Sequence, residues 1–231
     1  MNRFLTNYTE LSFLEAIREN LRRCSSFTFS VSFIKKAGLV LLLKDLEAAL
    51  ARGCQGRLIT STYQNFTDIE SLRSFRLLME KYPKAFDCHL DYYSFHDESY
   101  STLGYHSKGY LFTFPDGHTE LIVGSSNITR YALLKNIEWD LQISSHPTEQ
   151  IYRDAEQEFN ALWEQTPPLD LELIRQYETQ LLYSIERWDM DYDVATAKIK
   201  PNYMQRAALK ELNRYRVMGL TRAITVCSAG S

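Results

Sequence analysis

The chain lacks any long apolar run. Its longest purely aliphatic stretch, Leu39 to Leu43, is far short of the roughly 20 residues a membrane helix needs. It also lacks an apolar leader: Met1-Asn2-Arg3-Phe4-Leu5-Thr6-Asn7-Tyr8 is soon followed by charged residues, and a cytoplasmic protein is expected. Cysteine is scarce and scattered. Cys24, Cys54, Cys88 and Cys227 include no CxxC pair, which excludes a zinc knuckle or redox motif and points to free thiols in a reducing compartment. Internal repeats are absent. So is a basic excess, since the net charge is −3 and does not advertise a nucleic-acid binder. The charge is nonetheless uneven. Residues 136–197 hold 3 basic against 14 acidic side chains, and residues 198–231 hold 7 against 1. Basic ends suit phosphates and the acidic stretch does not, although solvated helix faces give the same count.

What is present is enough for a core. Apolar residues make up 45% of 231, which suits one sizeable domain and an appendage. Leu11, Leu14, Ile17 and Leu21 predict a helix over 9–23. Phe27, Phe29, Val31 and Phe33 alternate with Thr28, Ser30 and Ser32 as a strand does. Helices are expected over 39–52, stopped by Gly53, and over 67–82, stopped by Pro83. Further strands are expected over 57–61, 86–93, 105–114, 120–126 and 138–144. Pro115-Asp116-Gly117 has the chemistry of a turn. A helix over 147–164 closes the domain, and the alternation predicts an α/β fold with a mixed sheet. Thr166-Pro167-Pro168 reads as a boundary, followed by an acidic helix over 169–187.

One constellation carries chemistry. His106-Ser107-Lys108 puts a His and a Lys two apart, on one face if the segment is a strand. Gly124-Ser125-Ser126-Asn127 ends the next strand, and Glu138 opens another. Phosphodiester cleavage needs a nucleophile, donors for the non-bridging oxygens and a proton for the leaving oxygen. A neutral imidazole attacks phosphorus. Lysine and amide N–H groups hold developing negative charge without a metal. A carboxylate fixes an imidazole's tautomer. Each residue taken singly is more often structural; the set is what points to a site.

The order HxK, then GSxN, then a Glu eleven residues on resembles the phospholipase D superfamily, over roughly residues 1–165. The resemblance implies a phospholipase D-like mixed sheet flanked by helices, with a short helical C-terminal extension. It implies that His106 is the nucleophile, that Lys108 and Asn127 bind phosphate, that Ser125 supports the site, and that Glu138 orients a His. Ser125 also counts with Lys108 and Asn127 as a substrate-binding residue, and no metal or cofactor is implied for this domain. One position departs: the family motif has an Asp five residues after the Lys, where this chain has Thr113. The family site uses two such motifs about a two-fold axis. Here His89, His96, His118 and His146 lack the following Lys, so a homodimer is expected, with His106 of each protomer facing one phosphate. His118 is assigned to the hairpin turn and His96 to a loop near the site.

The tail resembles the opening of a superfamily 2 helicase motor. Pro201 and Gln205 give Pro-x-x-x-Gln, a helical run follows over 206–216, a strand over 222–227, and Ala229-Gly230-Ser231 matches the first half of a phosphate-binding loop. The resemblance implies nucleotide-binding roles for Gln205, Gly230 and Ser231, with ATP and Mg²⁺ used only by the longer parent protein. The expected organisation is a phospholipase D-like domain over 1–165, an acidic helical linker over 166–197 and a truncated motor over 198–231. The expected function is a metal-independent DNA endonuclease working through a phosphohistidine, fused to a restriction- or defence-type helicase. Tyr92, Tyr93, Tyr100 and Tyr105 are candidates to stack on bases. Two alternatives stand beside it: a catalytically weak DNA-binding or dimerisation module of the helicase, and a lipid phosphodiesterase.

Overall fold

The computed structural model describes residues 2–92 and 104–190. Its strands are β1 (Arg3–Leu5), β2 (Ser26–Val31), β3 (Gln55–Ser61), β4 (Phe86–Asp91), β5 (Lys108–Thr113), β6 (Thr119–Gly124) and β7 (Asp140–Ser145). Its helices are α1 (Phe13–Arg23), α2 (Lys36–Ala51), α3 (Ile69–Lys81), α4 (Arg130–Leu134), α5 (Gln150–Gln165) and α6 (Leu171–Met190). The seven strands make one mixed sheet in the order β1-β7-β6-β5-β2-β3-β4. β2, β3 and β4 run parallel, and every other pairing is antiparallel. A mixed sheet flanked by helices is therefore the architecture, as the alternation of patterns predicts.

Alternation along the strands decides the layers. Phe27, Phe29 and Val31 of β2, Tyr110 and Phe112 of β5, and Ile122 of β6 turn to one face. There they pack with Ile17 and Leu21 of α1, Leu39 and Leu42 of α2, and Leu72 and Phe75 of α3. Burying each such side chain is worth about 1.5–3 kcal/mol. The opposite residues, Ile59, Leu111 and Leu121, meet Tyr152 and Phe159 of α5. Local chemistry sets the ends. The Ser12 hydroxyl accepts from the Glu15 N–H and caps α1. Gly53 follows α2 at φ 93, a left-handed turn that a side chain would strain.

The structure moves several expected boundaries. β1 carries no periodic signal in three residues, yet Leu5 is buried and the strand edges the sheet on β7. The strand expected from Tyr105 begins only at Lys108, because Tyr105 is buried with its hydroxyl 2.6 Å from Ser30 Oγ. The Ser32 N–H meanwhile takes the Ser107 carbonyl at 2.8 Å. Thr166-Pro167-Pro168 does not end the compact unit, which runs through Leu182. The Pro167 carbonyl accepts from Leu90 N–H at 3.0 Å, and Leu169 N–H donates to Cys88 O at 2.8 Å, so this stretch follows β4. Leu169, Leu173, Ile174 and Tyr177 are then buried in the main core. The acidic composition of this helix masks that apolar stripe. The tail readings at Pro201, Gln205, Gly230 and Ser231 lie outside the described residues. Among the described residues no helix is long and apolar enough to cross a membrane.

Candidate active site

His106, Lys108, Asn127 and Glu138 lie around strand ends at one end of the sheet. Lys108 opens β5, with His106 two residues before it. Asn127 follows β6 by three residues, and Glu138 precedes β7 by two. The parallel strands β2 and β3 end on the same side, the usual place for a site in an α/β sheet.

The GSxN segment is held from every direction. A Cβ on Gly124 would lie 2.3 Å from both Asp140 Oδ1 and Trp139 O, so only glycine lets β6 and β7 come this close. The Ser125 hydroxyl donates to the Glu138 carboxylate and accepts from the Trp139 N–H at 3.1 Å. Asn136 Nδ2 donates to the other Glu138 oxygen at 3.0 Å. Ser126 is fully buried. Its hydroxyl donates to Asp140 Oδ2 at 2.6 Å and its N–H to Oδ1 at 3.2 Å. Burial pushes the Asp140 carboxyl up, and the Ser126 hydrogen bonds pull it back. The buried Tyr110 hydroxyl donates to Ser126 O at 2.7 Å. Asn127 is 6% exposed, and its Oδ1 accepts from the Phe33 N–H at 3.3 Å. The amide's oxygen is thereby committed, and its NH₂ remains as the donor end.

His106 is placed differently. It is exposed, outside the strand, and its ring lies 5.4 Å from the Tyr63 ring. The expectation of a His and a Lys side by side on one strand therefore needs correction: only Lys108 is in the strand. The Lys108 ammonium donates to the His106 carbonyl at 2.8 Å. Desolvation, and then the Lys108 charge, hold the imidazole below its usual pKa. Burial pulls Lys108 down to about 8, against the opposing charge of Glu138. At neutral pH this combination gives a neutral imidazole beside a lysine that is still cationic. Glu138 is bonded to Ser125 and Asn136, and no bond joins it to His106 among the described residues.

Tyr63 belongs to a loop with an unusual backbone. Gln64 (φ 49) and Asn65 (φ 58) are consecutive left-handed residues and neither is glycine. That conformation costs roughly 1–2 kcal/mol per residue. Hydrogen bonds hold it in place. Ser61 Oγ donates to Ser32 O at 2.6 Å and accepts from Tyr63 N–H at 3.2 Å. Thr67 Oγ1 donates to Ser61 O at 2.6 Å, and the Tyr177 hydroxyl of α6 reaches Thr67 O at 3.0 Å.

The other histidines lie elsewhere. His89 is buried and stacked on Trp163 at 3.6 Å. His118 stacks on Phe114 at 4.1 Å and pairs with Asp116 in the β5–β6 turn. His146 is exposed beside Thr148, and His96 lies outside the described residues. Thr113, where the family motif has Asp, ends β5 at the opposite end from Lys108. Of the tyrosines considered for stacking, Tyr105 is buried and Tyr92 donates to Gln180 at 2.8 Å. Tyr93 and Tyr100 lie outside the described residues. Sequence reasoning missed Asp140, Tyr110, Tyr63 and Phe33. Asp140 is the one with a legible signal, an acidic residue opening a strand next to the spaced Glu.

A family model described as "Cardiolipin synthase, PLD-like domain" matches residues 17–163. No curated protein matches the chain. Among solved structures, NucT from Helicobacter pylori is 14% identical with a TM-score of 0.54, covering 73% of this chain and 98% of that one. Nuc from Salmonella typhimurium, described as a phospholipase D family member, is 17% identical with a TM-score of 0.53, covering 73% and 97%. A phosphatidylserine synthase from Haemophilus influenzae is 17% identical with a TM-score of 0.55, covering 84% of this chain and 46% of that one. At these identities the likeness to the three structures is one of fold.

Proposed function

The chain belongs to the phospholipase D-like family, and from that premise we propose that it is a phosphodiesterase, a DNA endonuclease that works without a metal through a phosphohistidine on His106. The observation that carries the reading is the convergence of His106, Lys108, Asn127 and the Ser125–Glu138 pair at one end of neighbouring strands. In the first step one His106 nitrogen bonds to phosphorus as the bond to the leaving oxygen breaks. A second His106, which the negative charge of the bound phosphodiester favours in its protonated form, gives that oxygen its proton. Water then attacks phosphorus, the P–N bond breaks, and the second imidazole takes the proton back. Lys108 and the Asn127 amide hold the charge on the non-bridging oxygens.

The second imidazole comes from a second copy of the chain, which makes the active form a homodimer. An uncovered apolar face beside the site supports this. Phe4, Leu141 and Val123 stand opposite one another across β1, β7 and β6, and all three are exposed. Trp139, 66% exposed, extends the patch from Phe4 at 5.5 Å, next to Glu138. A groove of about 190 Å³ between this face and α5 continues it past Gly109. Patches of this kind mark interaction surfaces. The helicase-like order of Pro201, Gln205 and the basic tail supports a further part of the reading, that the nuclease serves an ATP-dependent motor of restriction or defence type. Thr113 in the place of the family Asp favours one other reading, a module that binds DNA and dimerises without turnover.

The test is cleavage of DNA in EDTA by the wild type beside His106→Ala, with phospholipid vesicles as a control substrate. Cleavage of DNA by the wild type alone is expected, together with a dimer mass in light scattering at micromolar concentration. Equal cleavage by both proteins overturns the nucleophile, and a monomer overturns the shared site. DNA binding without cleavage by either protein, with or without the motor and ATP, establishes the binding module instead.

A further inference from the structure

The loop between β3 and α3 carries an exposed phenylalanine. Phe66 is 38% exposed and its ring meets Phe33 edge-on at 5.2 Å. Phe33 is the residue whose N–H holds Asn127. Three residues before Phe66, Tyr63 packs on His106. The same short loop thus touches both the proposed nucleophile and the neighbour of the proposed phosphate ligand. A pair of left-handed, non-glycine residues lies between the two rings, and strain of this sort is kept where surrounding bonds over-determine it and function uses it.

The nearby cations do not make this a phosphate track. Lys35 Nζ is paired with Asp68 at 3.1 Å, and Lys36 Nζ donates to Ser74 at 2.8 Å. What the loop offers a ligand is aromatic surface next to a phosphodiester site. The geometry points to a base-stacking subsite: the Phe33–Phe66 wall receives a nucleobase flanking the phosphate at His106, and the substrate it selects is single-stranded nucleic acid. A base inside a duplex has both faces covered by its neighbours, whereas an unpaired base has a face to give. This rests on the phosphodiesterase reading for the position of the phosphate, and it names which polymer is held there. The wall also differs from the tyrosines picked out in sequence, of which Tyr105 is buried behind Ser30.

The test measures binding, so that it does not depend on turnover. A labelled single-stranded DNA oligomer is titrated in EDTA against the His106→Ala protein, beside an abasic strand of equal length and a duplex. The same titrations are run with Phe66→Leu and Phe66→Trp added. Stacking on one aromatic face predicts that the ordinary strand binds about tenfold tighter than the abasic one. Phe66→Leu removes that difference, Phe66→Trp restores it, and the duplex binds no better than the abasic strand. An unchanged melting temperature confirms that the surface variants fold. The inference is overturned if Phe66→Leu binds the ordinary strand as its parent does, if the abasic strand binds equally well, or if no strand binds. A wild type that cleaves no phosphodiester while the stacking pattern holds would instead sink the nuclease reading alone.

Discussion

The two halves of the site are built to different standards. On the GSxN side every group is tied. Gly124 sits against Asp140, Ser126 is bonded twice to the Asp140 carboxylate, Tyr110 holds the Ser126 carbonyl, and Phe33 holds Asn127. On the His106 side the imidazole is exposed and touches Tyr63, and Lys108 bonds back to its carbonyl. The GSxN half is tied within one chain. The His106 half has an open flank, which is what the proposed completion by a second copy requires. Preorganised donors lower a barrier because they need no rearrangement during reaction, and a nucleophile near its partner's imidazole must leave room for it.

Removing the Asp140 carboxylate attacks the finished half. Asp140→Ala strands the buried Ser126 N–H and hydroxyl, and leaving buried donors unsatisfied costs about 1–3 kcal/mol each. We expect a loss of about 2–4 kcal/mol in chemical denaturation, and more than tenfold lower cleavage even where the protein is folded, since Ser125 and Asn127 lose their scaffold. His106→Ala, on the open half, is expected to abolish cleavage with no change in melting temperature. Equal stability of the two variants would erase the contrast between the halves.

The contrast sharpens in the pH profile. His106 is held below its usual pKa by desolvation and the Lys108 charge, so the free imidazole is neutral at neutral pH. Lys108 is pulled down to about 8. A lysine with a lowered pKa loses its charge as pH rises through that value, so affinity for a phosphodiester analogue held at Lys108 should fall on an alkaline limb near 8. Lys108→Arg keeps the charge at every accessible pH. It should move that limb beyond 10, whatever it does to the plateau. A limb near 8 that persists in Lys108→Arg assigns the titration to another group and removes Lys108 from the charge-holding role.

Much of the sheet was legible because its strands alternate cleanly. Phe27, Phe29 and Val31 face one layer, while Thr28 and Ser30 face the groove under α5. The motif residues were legible as types and spacings. Their backbone setting was not, because it depends on long-range bonds. Tyr105 leaves the strand to meet Ser30, 75 residues earlier. Asp140 becomes the anchor of Ser126 only when β6 and β7 pair. Phe33 and Phe66 look like ordinary core aromatics until the fold brings their rings together, with the Phe33 N–H on Asn127. The acidic run after Pro168 reads as a linker by composition, whereas four buried apolar residues bind it to the core.

That last misreading yields the smallest and most discriminating variant. The Tyr177 hydroxyl of α6 donates to the Thr67 carbonyl, and Thr67 in turn fixes Ser61, the residue that accepts the Tyr63 N–H. α6 therefore reaches the Tyr63 side of the site through a chain of hydrogen bonds. Tyr177→Phe removes the hydroxyl and keeps the buried ring. It should cost about 1 kcal/mol, a fall of roughly 2–4 °C in melting temperature for a unit of this size. If the loop transmits that loosening, cleavage drops a few-fold while affinity for inorganic phosphate at the Asn127 side stays as it was. Equal losses in both would mean that the two halves share one support, and that the contrast between them ends at the side chains.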